Sequence, residues 1–344
     1  MYILAIDTSC DETSVAITCE RKVIANALYS QVLMHREWGG VVPSLARRAH
    51  EERIDLVVAE AIKKSGLTYQ EIDCFAVTQG PGLAIALEVG IKKAKELSEK
   101  YGKRLISVNH LEGHIYSCFV QNSRGNPNRE IKFPYLASVV SGGHTGLTVM
   151  KDHLTYEVIG ETRDDAAGEA LDKAARMLGL GYPGGSAIER LAEEVDNSDV
   201  YKFTRPMLKS HDLDFSFSGL KTALYYLVKD MGEQKRNEEI HNLASSFQEA
   251  VFDTLIRKTD QAMKQTGLSH LLVGGGVIAN KYLRKKYRTL AKKYRGSAYF
   301  PTYTYLTGDN AAMIGIVAYY KALQNKYVDA DHLDRIPRYS LEDL

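Results

Sequence analysis

Apolar residues run from Tyr2 to Ile6, yield to the polar stretch Asp7-Thr8-Ser9-Cys10-Asp11-Glu12-Thr13-Ser14, and resume at Val15-Ala16-Ile17. This pattern predicts a hairpin with a polar tip. Residues 22–29 predict a third strand. His35–Pro43 reads as a glycine-containing loop, after which Ser44 is placed to cap a helix reaching Lys64. Ile72–Thr78 is apolar enough for a buried strand. Gly80-Pro81-Gly82 follows it, and then Leu83, Leu87, Ile91, Ala94 and Leu97 fall at helical spacing. Leu105–Val108 predicts the next strand, which leads directly into Asn109-His110-Leu111-Glu112-Gly113-His114.

The same order then recurs. Tyr135–Val140 is apolar, Ser141-Gly142-Gly143-His144-Thr145 is a polar tip, and Leu147-Thr148-Val149 resumes, about 134 residues after the first hairpin. Residues 155–160 predict a third strand. Beyond it come a helix near 241–266, a strand at Leu271–Val273, the turn Gly274-Gly275-Gly276, a helix from Ala279 to Tyr294 and a strand at Ala298–Phe300. Each half reads strand, strand, strand, helix, strand, helix, strand. Two copies of one mixed α/β unit are therefore expected to face each other across a cleft, both tips aimed into it.

Between its third and fourth strands the second copy carries an insertion of roughly 80 residues. Apolar positions 166, 167, 170, 171, 174, 175 and 178 predict an amphipathic helix there, with Asp165, Glu169 and Asp172 on its acidic face. Asp214–Thr222 alternates Phe with Ser, which suits a strand or loop that buries its rings. The expected lobes are 1–118 and 119–308, with the insertion at about 162–240 and a last helix, about 309–325, placed to pack back on the first lobe.

Composition narrows the function classes. A net charge of +1 and a charged fraction of 25% exclude a chain that binds nucleic acid through its overall charge, so RNA contact would need a local patch. Lys92–Arg104 and Lys281–Arg295 qualify; the second holds eight Lys or Arg residues among Tyr282, Tyr287 and Tyr294, although a solvated helix face with buried tyrosines is the plainer reading. Cys10, Cys19, Cys74 and Cys118 show no Cys-x-x-Cys spacing, which points to reduced thiols in the cytosol. The amino terminus reads as a strand and not as a signal peptide, and no apolar run has the length of a membrane span.

His110 and His114 stand one helical turn apart, so both rings can reach one metal ion from the same side; the spacing also fits two ordinary core or surface histidines. A third ligand must come from elsewhere. Glu112, two residues after His110, lies about 200° around the helix and faces away, which argues against a zinc-protease general base. The two tips and Gly274–Gly276 give three places where backbone amides can approach phosphate, and so suggest a nucleotide in the cleft. Asp11 fits an acid/base group, a residue near a metal or a plain turn aspartate. Asp309, taken alone, fits an N-cap, and nothing beside Cys10 would activate it as a nucleophile.

Taken together, these motifs resemble the tRNA adenosine threonylcarbamoyltransferase family, bacterial members especially, within the actin, Hsp70 and sugar-kinase superfamily. The residues that carry the resemblance run from Ile3 to Ile316: Asp7-Thr8-Ser9-Cys10-Asp11-Glu12-Thr13, Gly39-Gly40-Val41-Val42-Pro43, Gly80-Pro81-Gly82-Leu83, His110-Leu111-Glu112-Gly113-His114, Ser141-Gly142-Gly143-His144-Thr145, Asp164-Asp165-Ala166-Ala167-Gly168-Glu169, Tyr182-Pro183-Gly184-Gly185, Asp214–Lys221 and Asp309–Ile314.

The resemblance implies duplicated actin/Hsp70-like (ribonuclease H-like) α/β lobes around a nucleotide cleft. It implies one divalent metal, Fe2+ or Zn2+, on His110, His114 and Asp309, and an adenylate against Val139, Val140, Ser141, Gly142 and Gly143. Asp172 and Gly185 would lie near the ribose, Asn280 near the base, and Asp11 would handle the proton of the reacting amine. The implied reaction passes a threonylcarbamoyl group from threonylcarbamoyl-AMP to an adenine amine beside the anticodon of tRNAs reading ANN codons. Implied partners are tRNA, a paralogous subunit resembling the first half and a small P-loop ATPase, in the cytoplasm and without a membrane. The chain departs from the family at Ser44, where Glu is usual, at Gly308, where Thr is common, and at Glu88, where an apolar residue is usual. Rival readings are a small-molecule kinase of the same superfamily, which would not need the histidines, a non-catalytic nucleotide-binding scaffold and a metalloprotease.

Overall fold

The computed structural model describes residues 1–208 and 210–344. Strands β1 (Tyr2–Asp7), β2 (Glu12–Cys19) and β3 (Lys22–Ser30) form an antiparallel meander, followed by helices α1 (Val32–His35) and α2 (Pro43–Ser65). Strand β4 (Cys74–Gly80), helix α3 (Ala84–Tyr101) and strand β5 (Arg104–Asn109) complete a sheet of order β3-β2-β1-β4-β5, with β1, β4 and β5 parallel. Helix α4 (His110–Tyr116) follows without a break. Ser44 does not cap α2: Val42 occupies that position and Pro43 is the first helical residue, where its missing N–H costs nothing.

The second half repeats this wiring. Strands β6 (Tyr135–Val140), β7 (Thr145–Asp152) and β8 (Thr155–Glu161) form the meander, and the insertion supplies α5 (Ala167–Leu178), α6 (Gly184–Glu193), α7 (Ser218–Met231) and α8 (Glu233–Glu238). Then come α9 (Ile240–Thr266), β9 (Leu271–Gly274), α10 (Lys281–Lys293), β10 (Ala298–Tyr299) and α11 (Ala311–Leu323), with sheet order β10-β9-β6-β7-β8. The predicted starts of two helices move inward. Helix α5 begins at Ala167, because Asp164 and Asp165 turn back to bind Ser216, Ser218, Lys173 and Lys221, and α10 begins at Lys281, behind Asn280 as N-cap.

Period-2 alternation divides the first sheet between two cores. Leu4, Ile6, Val15 and Ile17 pack with Ile54, Val57 and Ile91 of α2 and α3, whereas Ile3, Ala5 and Ala16 point the other way. That second face joins Leu111 and Ile115 of α4, Ile314 and Val317 of α11, and Ala137 and Val139 of β6 in one cluster spanning both halves. Helices α4 and α11 thus lie between the sheets, with α11 packed on β1, β2 and α4. Phe215 and Phe217 are fully buried against the α5–α9 core, as their alternation with Ser predicts. No helix among the described residues is long and apolar enough to cross a membrane.

Candidate active site

Helix α4 is held at its start by a reciprocal cap. The Asn109 side-chain oxygen accepts from Leu111 N at 2.8 Å, and Glu112 accepts from Asn109 N at 3.3 Å. Glu112 is itself buried; it pairs with Lys321 Nζ at 2.8 Å and accepts from the Tyr156 hydroxyl at 3.0 Å. Its carboxylate braces α4 against α11 and β8, so Glu112 is not free to act as a general base for peptide hydrolysis. Gly113 permits the close crossing, since a Cβ there would stand 2.9 Å from Met313 Cγ and 3.0 Å from Ile314 Cδ1.

The start of α11 supplies the third ligand candidate. Asn310 caps this helix, its side-chain oxygen accepting from Met313 N at 3.1 Å, and Ala311 N donates to Ser14 Oγ at 2.9 Å. Asp309 is therefore not the cap, and its carboxylate is available to the histidines. Asp309 Oδ1 stands 3.2 Å from His110 Nε2 and 3.4 Å from His114 Nε2. One ligand atom from each of the three residues lies within 4.8 Å of the other two. Gly308 lines the cavity, and a Cβ there would have no neighbour within 4 Å, so its departure from Thr removes no cap and creates no clash.

Electrostatics fit a cation. Burial alone would lower the His110 pKa, but the carboxylates of Asp309 and Asp7 outweigh it and raise the value to about 9. Burial and the charge of His110 hold His114 below its usual value, and the two imidazoles hold Asp309 well below the carboxylate range despite burial. Both nitrogens of His114, Nδ1 of His110, Oδ2 of Asp7 and Oδ2 of Asp11 are buried without a hydrogen-bond partner. Two imidazoles and a carboxylate suit Fe2+ or Zn2+ by donor type, and the orphaned Nε2 of His114 is the atom such an ion would satisfy.

The histidine–aspartate cluster stands at the wall of a cavity of about 640 Å³. Both hairpin tips reach it: Ser9, Cys10, Asp11 and Glu12 from the first, Ser141, Gly142, Gly143 and His144 from the second. Helix α5 closes one side with Glu169, Asp172, Lys173 and Arg176, joined by Tyr182. Gly168 fits α5 against the second tip, because a Cβ there would meet Ser141 O at 2.7 Å. Asp172 Oδ1 accepts from Gly184 N at 2.7 Å and Gly185 N at 3.2 Å; burial, opposed by these bonds, raises its pKa. Burial and the carboxylates of Asp11, Asp309 and Glu12 push the Cys10 thiol up, so a thiolate nucleophile is disfavoured.

Of the residues singled out in the sequence, Asp11, Ser141, Gly142, Gly143, Asp172, His110 and Asp309 line this cavity, and His114 lies just behind His110. Val139 and Val140 sit in β6 behind the tip, and Gly185 faces Asp172. Asn280 stands apart: its side chain accepts from Leu283 N at 2.9 Å and donates to Gln248 at 2.9 Å, so it is already committed to capping α10. Sequence reasoning gave no role to Lys173, Arg176 and Tyr182, which line the cavity. The helical period that marks Asp172 as acidic also marks Lys173 and Arg176, but nothing in that period says which face meets a cavity.

This fold, two like-wired α/β lobes joined through buried helices, recurs at low sequence identity. The chain overlays 94% of its length on the (R)-2-hydroxyglutaryl-CoA dehydratase component A of Acidaminococcus fermentans, covering 99% of that chain at TM-score 0.52 and 14% identity. It overlays 95% of its length on HypF in a phosphate- and nucleotide-bound form, covering 56% of that chain at TM-score 0.60 and 14% identity. These likenesses define an actin/Hsp70-like architecture.

Sequence similarity is more specific. The family model TsaD, tRNA N6-adenosine threonylcarbamoyltransferase, matches residues 22–316. A protein of Kosmotoga olearia with that name is 44% identical over 344 residues, covering all of both chains. One from Endomicrobium trichonymphae is 47% identical, covering 93% of this chain and 92% of its own. The chain belongs to the tRNA N6-adenosine threonylcarbamoyltransferase family.

Proposed function

We infer that the chain transfers the threonylcarbamoyl group of threonylcarbamoyl-AMP to N6 of the adenine beside the anticodon in tRNAs that read ANN codons. The observation that carries this reading is the meeting of His110, His114 and Asp309 at the wall of a two-tipped cavity, in a chain that matches such transferases end to end. His110, His114 and Asp309 would hold one Fe2+ or Zn2+ ion. When bound, that ion supplies a Lewis acid for the carbamoyl oxygen, where negative charge develops.

The chain's own groups do the rest. The adenylate lies against Ser141, Gly142 and Gly143, with Val139 and Val140 supporting the tip from behind. Gly142 and Gly143 have no atom within 4 Å of a Cβ position, so phosphate oxygens can come close to their backbone. Asp172 presents its second carboxylate oxygen to the ribose, with Gly185 beside it. Asn280 stiffens the base end of the site through α10 and Gln248. The bond from N6 to the carbamoyl carbon forms as the carbon–oxygen bond to phosphate breaks, and AMP departs with that electron pair. Asp11, whose Oδ2 is buried without a partner, takes the proton shed by N6. The anhydride is already activated, so no covalent enzyme intermediate is required.

A paralogous subunit, a small P-loop ATPase and a cytoplasmic tRNA pool complete the setting, with the basic face of α10 available to RNA. The test is incorporation of labelled threonine from synthetic threonylcarbamoyl-adenylate into tRNA, with and without these partners. Incorporation by the native chain and its loss in Asp309→Ala are expected. Phosphate transfer from ATP that survives replacement of both histidines would overturn the reading in favour of a kinase.

A further inference from the structure

Trp38 is the single tryptophan of the chain, and it stands 65% exposed. Leu33, 77% exposed, and Met34 precede it on the same short segment. Leaving large apolar side chains in water is unfavourable by the area they expose, and clustered exposure of this kind marks a surface that is covered during function. The segment is not loose. His35 is buried, its Nε2 3.1 Å from Gln31 Oε1, and its Nδ1 accepts from Val42 N at 3.3 Å. Gly39, left-handed at φ 65°, turns the chain immediately after Trp38 and is tied across the cleft by Arg176 Nη2, which donates to its carbonyl at 2.9 Å. The indole is thus held outward on a braced segment.

Its position indicates what covers it. Gly39, Gly40 and Val41 are part of the cavity wall, so Trp38 stands on the rim one residue from it. An adenine that enters the cavity from a tRNA loop leaves its chain neighbours at the rim. Single-stranded loops are recognised by stacking of unpaired bases on aromatic side chains, and an exposed indole is the largest such platform a protein has. A protein partner seated on the same rim would compete with RNA for the entrance. The charges near it are mixed, Arg36 followed by Glu37 and Arg48 of α2 paired with Glu52 at 2.9 Å, so the indole face and not a basic patch is what this rim offers a base.

We propose that Trp38 stacks on a base flanking the reacting adenosine and so positions the anticodon loop over the cavity. The proposal rests on the transferase reading above. Its test uses the full-length, metal-loaded protein with its partner subunits and an anticodon stem-loop RNA carrying adenosine beside the anticodon. Turnover of that RNA by the native protein tests the transferase reading itself. Given turnover, Trp38→Ala should raise KM for the RNA about tenfold, equivalent to about 1.4 kcal/mol, with much less change in kcat. Trp38→Phe should recover most of the loss. A stem-loop made abasic on both sides of that adenosine should bind the native protein and Trp38→Ala equally. With any partner tryptophans replaced, native fluorescence should be quenched by the intact stem-loop and not by the abasic one. Equal KM values for native protein and Trp38→Ala, or quenching by a partner subunit that RNA does not displace, would overturn the proposal.

Discussion

The two lobes share one wiring diagram, yet their corners meet the cavity with opposite chemistry. The first tip brings Asp11 and Glu12, with Asp7 buried behind them beside His110; the second brings Ser141, Gly142, Gly143 and a histidine whose pKa burial lowers to about 4. Burial and the neighbouring carboxylates Asp11 and Asp309 raise Glu12 well above its usual value, so the first corner is crowded with negative charge until a cation or proton relieves it. The second corner offers neutral backbone with open space over Gly142 and Gly143. Duplication supplied two equivalent approaches to one cavity, and divergence assigned them different charges, one suited to a cation and a proton, the other to an anionic nucleotide.

The sharpest break in this comparison is to disarm the cation side alone. Replacing His110 and His114 together by Ala should abolish stoichiometric metal binding, read by elemental analysis, and lower threonylcarbamoyl incorporation about a thousandfold, in line with several kcal/mol of charge stabilisation. Affinity for AMP, which the proposed reading assigns to the second tip, should change little. A double variant that retains the ion, or that loses AMP as well, would show that the corners do not divide the work.

A second break concerns how the histidines are carried. The first lobe follows its last strand with α4, clamped by Glu112 and Lys321; the second follows β10 with the turn that leads to Asp309 and α11. Lys321→Met strands a buried carboxylate and should cost about 3–5 kcal/mol in denaturant unfolding. Adding Glu112→Leu should recover much of that loss, because the pair would then be replaced by apolar groups. If the double variant is no more stable than the single one, the clamp is not what holds α4.

The nucleotide side is probed by Gly168→Ala, whose methyl group would meet Ser141 O at 2.7 Å and Gly142 Cα at 2.8 Å. The second tip must move, so KM for the adenylate should rise about tenfold, with a stability loss of about 1–3 kcal/mol. The metal content should hold. Loss of the ion in this variant would mean that the two corners are mechanically coupled.

These contrasts also show what the chain reveals before folding. The strands were legible because alternation such as Ile3/Ala5 against Leu4/Ile6 feeds two different cores, and the duplication because both tips interrupt apolar blocks at the same place. His110 and His114 were legible as a pair through local periodicity. Asp309 was not, since its approach depends on α11 crossing α4 at Gly113, a long-range contact without a periodic signature; only the family resemblance supplied it. Ser44 shows the opposite error: proline at the first helical position displaced a plausible serine cap. Asn280, read as lying near the base, also caps α10, a role its own N-cap chemistry already allowed.

The smallest effect distinguishes the two hairpin turns at the far end of the meanders. Each places a residue in the left-handed region, Glu20 at φ 56° and Leu154 at φ 60°, but the first turn continues into Arg21 and the second is preceded by His153. Arg21 donates to Arg129 O at 3.0 Å. His153 stacks on Tyr320 of α11 at 3.7 Å between ring centroids, and its Nδ1 lies 3.0 Å from the hydroxyl of Tyr116 in α4. That hydroxyl also accepts from Leu154 N at 3.1 Å, so the His153 ring is packed into the junction between the hairpin, α4 and α11. Burial lowers the His153 pKa to about 4, with Arg21 adding to the effect and Asp152 opposing it. The unfolded chain binds this proton near pH 6.5, so between 6.5 and 4 it holds more protons than the folded one, and stability falls as the pH is lowered through that window. His153→Phe keeps the stack and removes the titration. Its unfolding free energy should fall less than that of the native chain between pH 7 and pH 4.5, whereas Arg21→Met should leave the pH slope almost as it is. Parallel slopes for the native chain and His153→Phe would mean that protonation at this junction does not oppose the docking of the second hairpin on α4 and α11.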